Sequence, residues 1–169
     1  MKKTFLIASA MIFLIACGTK QSETATTETV AVTPGNGTVT TSGADVETMK
    51  KSFTAFANGN WDELASYFAD SAVSYHNVWA ADSNIKGVPI KDVIEGFKKE
   101  RATMEGNLQL NTPITEVVTM ADGSKFGHIW IEMTGKYKNG KEIKTVVFNS
   151  FGINKDGKYT AEWPIYDNQ

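Results

Sequence analysis

The chain carries two histidines, and the first of them, His76, closes the stretch YFADSAVSYHN at 67–77. An imidazole with a reference pKa of about 6.5 can exchange a proton near neutrality, so on a pocket wall it serves as a general base or as a hydrogen-bond partner for a ligand. The bland alternative is a buried histidine satisfied by a backbone group. The second, His128, lies in FGHIWIEMT, where period-two alternation puts Phe126, His128, Trp130 and Glu132 on one face and Ile129, Ile131 and Met133 on the other. An inward Glu132 needs a partner, because a carboxylate rarely sits in a core alone; His76, His128 or a lysine tip could supply it. A metal is the rival use for two histidines and a glutamate. Four strand residues separate His128 from Glu132 by about 13 Å of backbone at ~3.3 Å per residue, too far to grip one ion with bonds of about 2 Å. Metal is therefore not expected. Neither a GxxxxGK[ST] nor a GxGxxG stretch occurs, so no cofactor is expected and cofactor-free chemistry or simple binding is favoured.

The elements that must position these residues begin after a leader. MKKTFLIASAMIFLIACGTK opens with Lys2 and Lys3 and continues in an apolar or small run from Phe5 to Ala16, shorter than the roughly 20 residues a membrane span needs but suited to a secretory signal. The signal, 1–16, ends in Leu14-Ile15-Ala16-Cys17, which resembles the lipobox of bacterial lipoproteins. Cys17 is the only cysteine, so it is the expected lipidation site and no internal disulfide is possible. More than one acyl chain there would anchor the chain stably to the bacterial cell envelope; the sequence does not say to which membrane. Without the leader the balance is 15 basic against 19 acidic residues, moving the formal charge from −2 to −4, which offers nothing to nucleic acid. Residues 17–44 carry the lipid and then a Thr/Ser-rich run without Leu, Ile or aromatic residues, expected to be a disordered tether. Residues 45–169 are of single-domain size.

Within that domain, Val46, Met49, Phe53, Phe56 and Ala57 recur at helical spacing, ending near Gly59. Asn60 and Glu63 open a second helix with the stripe Trp61, Leu64, Ala65 and Phe68, residues expected in the core. A strand AVSYH follows, then a loop over 77–87, then a third helix from Pro89 with Ile90, Val93, Ile94 and Phe97 inward. The lysines of KDVIEGFKKER read as a solvated face. After Gly106, ADGS, KNGK and KDGK each set a tight-turn dipeptide between strand-like runs, so four antiparallel strands follow in series. Pro113 belongs at the start or edge of the first.

GNWDELASYFADSAVSYHN, NIKGVPIKDVIEGF and FGINKDGKYTAEWPIYD, in this order of helices and strands, resemble the nuclear transport factor 2-like superfamily, with its SnoaL-like proteins and ketosteroid isomerases. The resemblance covers Asp45 to Gln169. It implies an α+β, cone-shaped fold: three N-terminal helices packed in a strongly curved antiparallel sheet, with a pocket at the open end. It places His76 at the isomerases' catalytic base, Asn149 at their buried proton-donating acid and Tyr166 at a pocket tryptophan. Their oxyanion-binding tyrosine falls on Ser52, too short to replace it, so the isomerase set is incomplete. The isomerase alignment also turns Trp130 and Glu132 into the pocket, with Thr145, Val147, Asn149 and Phe151 on the matching face of the next strand. Trp163 and Tyr166 fall on opposite faces of the last strand.

The expected catalytic set is His76, Asn149 and Tyr166, and the expected ligand contacts are Tyr75, Trp79, His128, Trp130 and Glu132. Trp79 either lids the mouth or packs on the third helix. The leading expectation is a lipid-anchored pocket protein for a small, largely apolar ligand. One alternative is a cofactor-free isomerase, cyclase or dehydratase with His76 as base and Asn149 or Tyr166 steadying an oxyanion. Another is an interaction module: both faces of FGHIWIEMT are rich in apolar groups, so the face turned away from the pocket is expected to meet a partner chain, possible as a homodimer through the convex sheet.

Overall fold

The apolar repeat from Val46 to Ala57 folds as helix α1, Ala44–Asn58, which buries Val46, Met49 and Phe53 and stops on Gly59 at φ 72°, a left-handed residue that favours glycine. The computed structural model describes residues 29–32, 37–75 and 86–168. Helix α2, Trp61–Ser66, follows at once, and Asn60 reaches Glu63 through Nδ2 at 3.3 Å rather than capping the backbone. Leu64 is buried but Ala65 is exposed. Phe68, expected on the same helical stripe, instead begins strand β3, Phe68–Ser74. The Tyr67 carbonyl accepts the Tyr159 N–H at 2.9 Å and so draws the chain into the sheet after six helical residues. Two residues, Val88–Pro89, form strand β4. Pro89 then caps helix α3, Ile90–Arg101, whose Ile90 and Ile94 are buried.

The rest is a meander of four long strands, β5 (Met104–Thr119), β6 (Lys125–Tyr137), β7 (Glu142–Ile153) and β8 (Tyr159–Asn168). Gly123, Gly140 and Gly157 take φ of 83°, 87° and 74° in the three connecting turns, the positive angles those turns require. Pro113 lies inside β5, not at its start. It falls between the pairs Asn111↔Glu132 and Ile114↔Trp130, where the register slips, and the next strand outward pairs only with residues 117–119. A bulge on a locally open edge asks no N–H of proline.

That outward strand lies within the stretch, 17–44, expected as a tether. Among the described residues, Thr29–Val32 and Gly37–Thr40 form strands β1 and β2, paired to each other and, through Thr38↔Thr119 and Thr40↔Val117, to β5. TVAV and GTVT are rich in β-branched residues, which suit a pleated strand, and the free edge of β5 supplies the partners that a composition argument overlooks. The described sheet has the order β1-β2-β5-β6-β7-β8-β3-β4, with β3 parallel to β8 and every other pairing antiparallel.

The sheet curves, and α1 lies across β5 and β6. Its approach is set at Gly127, where an added Cβ would meet Met49 Sδ at 2.2 Å and Ile153 Cδ1 at 3.1 Å. Beside this contact an aromatic core closes: Phe151 meets Phe53 edge-on at 6.1 Å and stacks on Tyr159 at 4.4 Å. Gly127→Ala is expected to cost about 1–3 kcal/mol through overpacking, and Met49→Ala should cost less in that background than alone. Urea unfolding of the four-member cycle measures both, and strictly additive losses would dissociate the two positions.

Candidate functional site

Alternation along the meander decides which side chains meet inside. On β6 the inward row is Gly127, Ile129, Ile131 and Met133; on β7 it is Thr145, Val147, Asn149 and Phe151, as expected. Pairing of Phe151 with Glu162, and of Val147 with Tyr166, carries the same face onto β8. Glu162 is only 6% exposed and Asn149 only 5%. They stand diagonally across β7 and β8, and Asn149 Nδ2 donates to Glu162 Oε2 at 3.1 Å.

This pair, with Tyr166 and Ser52, lines an inner chamber of about 50 Å³ whose other walls are apolar, including Phe53 from α1 and Ile94 from α3. At roughly 10–15 Å³ of such volume per water, the chamber holds a few waters or one small group. A vestibule of about 610 Å³ adjoins it, and the two share Phe56, Phe97, Met133 and Tyr166. Phe56 and Phe97 meet edge-on at 5.0 Å within this shared wall. The vestibule is floored by Leu108, Ile143 and Thr145 and edged by Gly96 and Glu100 of α3.

The phenol of Tyr166 is raised well above its ordinary range, first by burial and then by the negative charges of Glu162 and Glu100. It is therefore neutral at any ordinary pH and able to donate. Ser52, at the position where the resemblance places a tyrosine, is buried; its Oγ donates to the Met49 carbonyl at 2.8 Å and lies 3.2 Å from Tyr159 Oη. A tyrosine thus does reach this region, but from β8. Burial raises the Tyr159 phenol too, partly offset by Ser52.

Four expected contacts lie elsewhere. His128, Trp130 and Glu132 occupy the outer row of β6, since the inner row is taken by the residues that α1 covers. There His128 Nδ1 is 3.1 Å from Glu116 Oε1, and Trp130 packs on Phe148 with centroids 4.7 Å apart. Glu132 is bound by Lys144 at 2.9 Å and Asn111 at 3.1 Å, and the Lys144 contact leads in holding its carboxyl below the usual range. A lysine is thus its partner, in solvent. Tyr75 also faces outward, stacked on Trp163 at 5.6 Å. Of the expected catalytic set, Asn149 and Tyr166 line the inner chamber. His76 and Trp79 lie outside the described residues.

Glu162 was missed by the sequence reading. The signal was available: Glu162, Pro164 and Tyr166 share one face of TAEWPIY by simple alternation, so placing Tyr166 in the pocket places Glu162 there as well.

No family model and no curated protein matches the chain. Solved structures do. An NTF2-like protein from Anabaena variabilis aligns at TM-score 0.55 and 16% identity, over 76% of this chain and 95% of its own. IdmH of Streptomyces antibioticus, a candidate polyketide cyclase, aligns at TM-score 0.54 and 17% identity, over 74% and 93%. A candidate isomerase from Bacillus subtilis aligns at TM-score 0.52 and 14% identity, over 72% and 84%. At these identities the likeness is one of fold, and the fold is nuclear transport factor 2-like.

Both buried phenols hold their protons to higher pH in the folded chain than in the unfolded one, where tyrosine ionises near pH ~10. The stability this contributes is complete below about pH 10 and is lost as pH rises toward the folded values. Melting temperatures are therefore expected to fall above pH ~10, and to fall less steeply in Tyr159→Phe and Tyr166→Phe; an unchanged slope in both variants would assign the effect to other groups.

Proposed function

We propose that the chain is an exported pocket protein, anchored through lipid on Cys17, that holds a small, largely apolar ligand with a few polar contacts. The observation that carries this reading is a pair of adjacent cavities that share Phe56, Phe97, Met133 and Tyr166 in their walls. The vestibule, about 610 Å³, is in the range of roughly 300–1,000 Å³ that small-molecule sites occupy. The inner chamber adds the few convergent polar groups that fix orientation in such sites, here Asn149, Glu162 and Tyr166. The enzymatic alternative would use His76, outside the described residues, as base, with Asn149 or Tyr166 of the inner chamber steadying an oxyanion. Neighbours of the same fold include candidate cyclases and isomerases, which makes a ligand cavity an ordinary use of this architecture.

Gly96 gives a clean way to test the cavity. It edges the vestibule, and a Cβ built there meets nothing within 4 Å, so a side chain can leave the backbone freely at a position where glycine is a poor helix former, and Gly96→Trp is expected to occupy vestibule space. A neutral fluorescent naphthylamine is expected to bind the wild-type chain saturably with one site. In Gly96→Trp the affinity should fall by roughly tenfold or more, equivalent to at least ~1.4 kcal/mol, with the melting temperature retained. Equal binding in the two proteins would remove the vestibule as a site. For the anchor, Cys17→Ser is expected to move the chain from the membrane fraction to the soluble fraction, and continued membrane association in that variant would count against lipidation.

A further inference from the structure

Helix α1 ends without a cation of its own. Its last turn carries no basic residue, although the carbonyls left over at a helix C-terminus need donors and favour positive charge. The Gly59 and Asn60 N–H groups take the Phe56 and Ala55 carbonyls at 3.1 and 2.8 Å, and the next carbonyl, that of Ala57, is satisfied from another helix. Arg101, at the end of α3, donates to it through Nη2 at 2.6 Å. The same nitrogen reaches Asn107 Oδ1 at 3.3 Å, and Asn107 Nδ2 donates to Asn58 Oδ1 at 3.1 Å. One guanidinium thus ties the ends of α1 and α3 to β5. A basic residue in the last turn of α1 would satisfy the carbonyl from solvent, whereas supplying it from α3 also fixes the distance between the two helices.

That distance sets a cavity wall. Phe56 directly precedes Ala57, and Phe97 stands one turn before Arg101 on the same side of α3, so the contact between Ala57 and Arg101 constrains the two rings that meet at 5.0 Å. Both rings line the vestibule. Together with Glu100, Met104 and Leu108, which line it too, they also border a void of about 20 Å³ on whose wall Arg101 itself stands. A void of that size has room for about one water, and it is space into which the rings can retreat once their tie is cut. Arg101 Nη1 lies 3.8 Å from Met104 Sδ, so the guanidinium braces a third member of the same wall.

We propose that Arg101 is a positioning residue that determines specificity: by tying the end of α1 to the end of α3 it holds Phe56 and Phe97 in the vestibule wall, and so limits the bulk of ligand that the vestibule accepts. The proposal rests on the pocket reading above and deepens it.

Displacement of the naphthylamine probe from the full chain by 3-phenylpropanol and by 3,3-diphenylpropanol tests it, because the two alcohols share a head group and differ by one ring. Arg101→Met keeps an apolar stem and removes the fork. In that variant the affinity of the diphenyl alcohol relative to the monophenyl one is expected to rise by about tenfold, at the low end of what a change in pocket shape discriminates. Arg101→Lys, which keeps a cation near the Ala57 carbonyl, should return the ratio most of the way to wild type. An arginine that only stabilises the fold would lower the melting temperature and weaken both alcohols alike, so an unchanged ratio in a folded Arg101→Met would overturn the proposal. Should that variant not fold, Asn107→Ala, which removes one of the two oxygens the guanidinium binds, is expected to raise the ratio by about threefold, the loss of one hydrogen bond, and an unchanged ratio there has the same force. If neither alcohol displaces the probe from the wild-type chain, the role of Arg101 falls and the pocket stands; if the probe itself does not bind, both readings fall together.

Discussion

A carboxylate withdrawn from water must be solvated by the protein, and the interior of this molecule is arranged around that requirement at Glu162. Its paired neighbours are Phe151 on β7 and Ser74 on β3, and without compensation an ionised group there would cost several kcal/mol. Asn149 supplies part of the compensation. It can do so only because β7 and β8 hold their register through Phe151↔Glu162 and Asn149↔Pro164, which keeps amide and carboxylate on one face and diagonally adjacent. A slip of β8 by one residue would turn Glu162 outward and part it from Asn149. Donating to Glu162 also fixes which end of the amide is left over.

The helices complete that environment. The close approach of α1 at Gly127 brings Phe53 and Ser52 over the sheet, and α3 adds Ile90, Ile94 and Phe97 from the other side. Aromatic rings meeting mostly edge-on leave gaps that aliphatic packing would fill, so the hollow persists between well-packed neighbours. The opposite face of the sheet has a different character. Ile114 is 62% exposed there and Trp130 39%, but they are interspersed with ion pairs such as Glu132 with Lys144, whereas the concave side admits charge only where it is paired or lines a cavity.

Sequence patterns revealed the parts governed by local rules. The three Asp-Gly or Asn-Gly turns, the helices ending at Gly59 and opening at Pro89, and the inward row of β7 are each dictated by a few adjacent residues. Reading failed where the answer depends on a distant partner. FGHIWIEMT is apolar on both faces, so alternation fixed the two rows without saying which one a helix covers; the outer row holds the histidine and the glutamate, and that polarity marked the solvent side. Phe68 fits a helical stripe until Tyr159 claims the preceding carbonyl. Residues 29–32 and 37–40 have a composition too poor for a core, yet they need none of their own when they pair with each other and, through β2, with the edge of β5. Glu162 was hidden for another reason: acidic residues are usually exposed, and only its phase with Tyr166 indicates otherwise.

The β1–β2 hairpin has a geometric corollary. Residues 18–28 separate Cys17 from Thr29, so a chain lipidated at Cys17, as proposed, has a contour of at most roughly 40 Å at ~3.3–3.6 Å per residue between lipid and sheet. Thr29 pairs with Thr40, which pairs with Val117, and β1 runs parallel to β5, so the chain enters the hairpin from the side that leads back along β5 toward Met104 and Leu108 at the vestibule. A chain moored at Cys17, as proposed, would thus hold the hairpin edge of the sheet within that distance of its anchor.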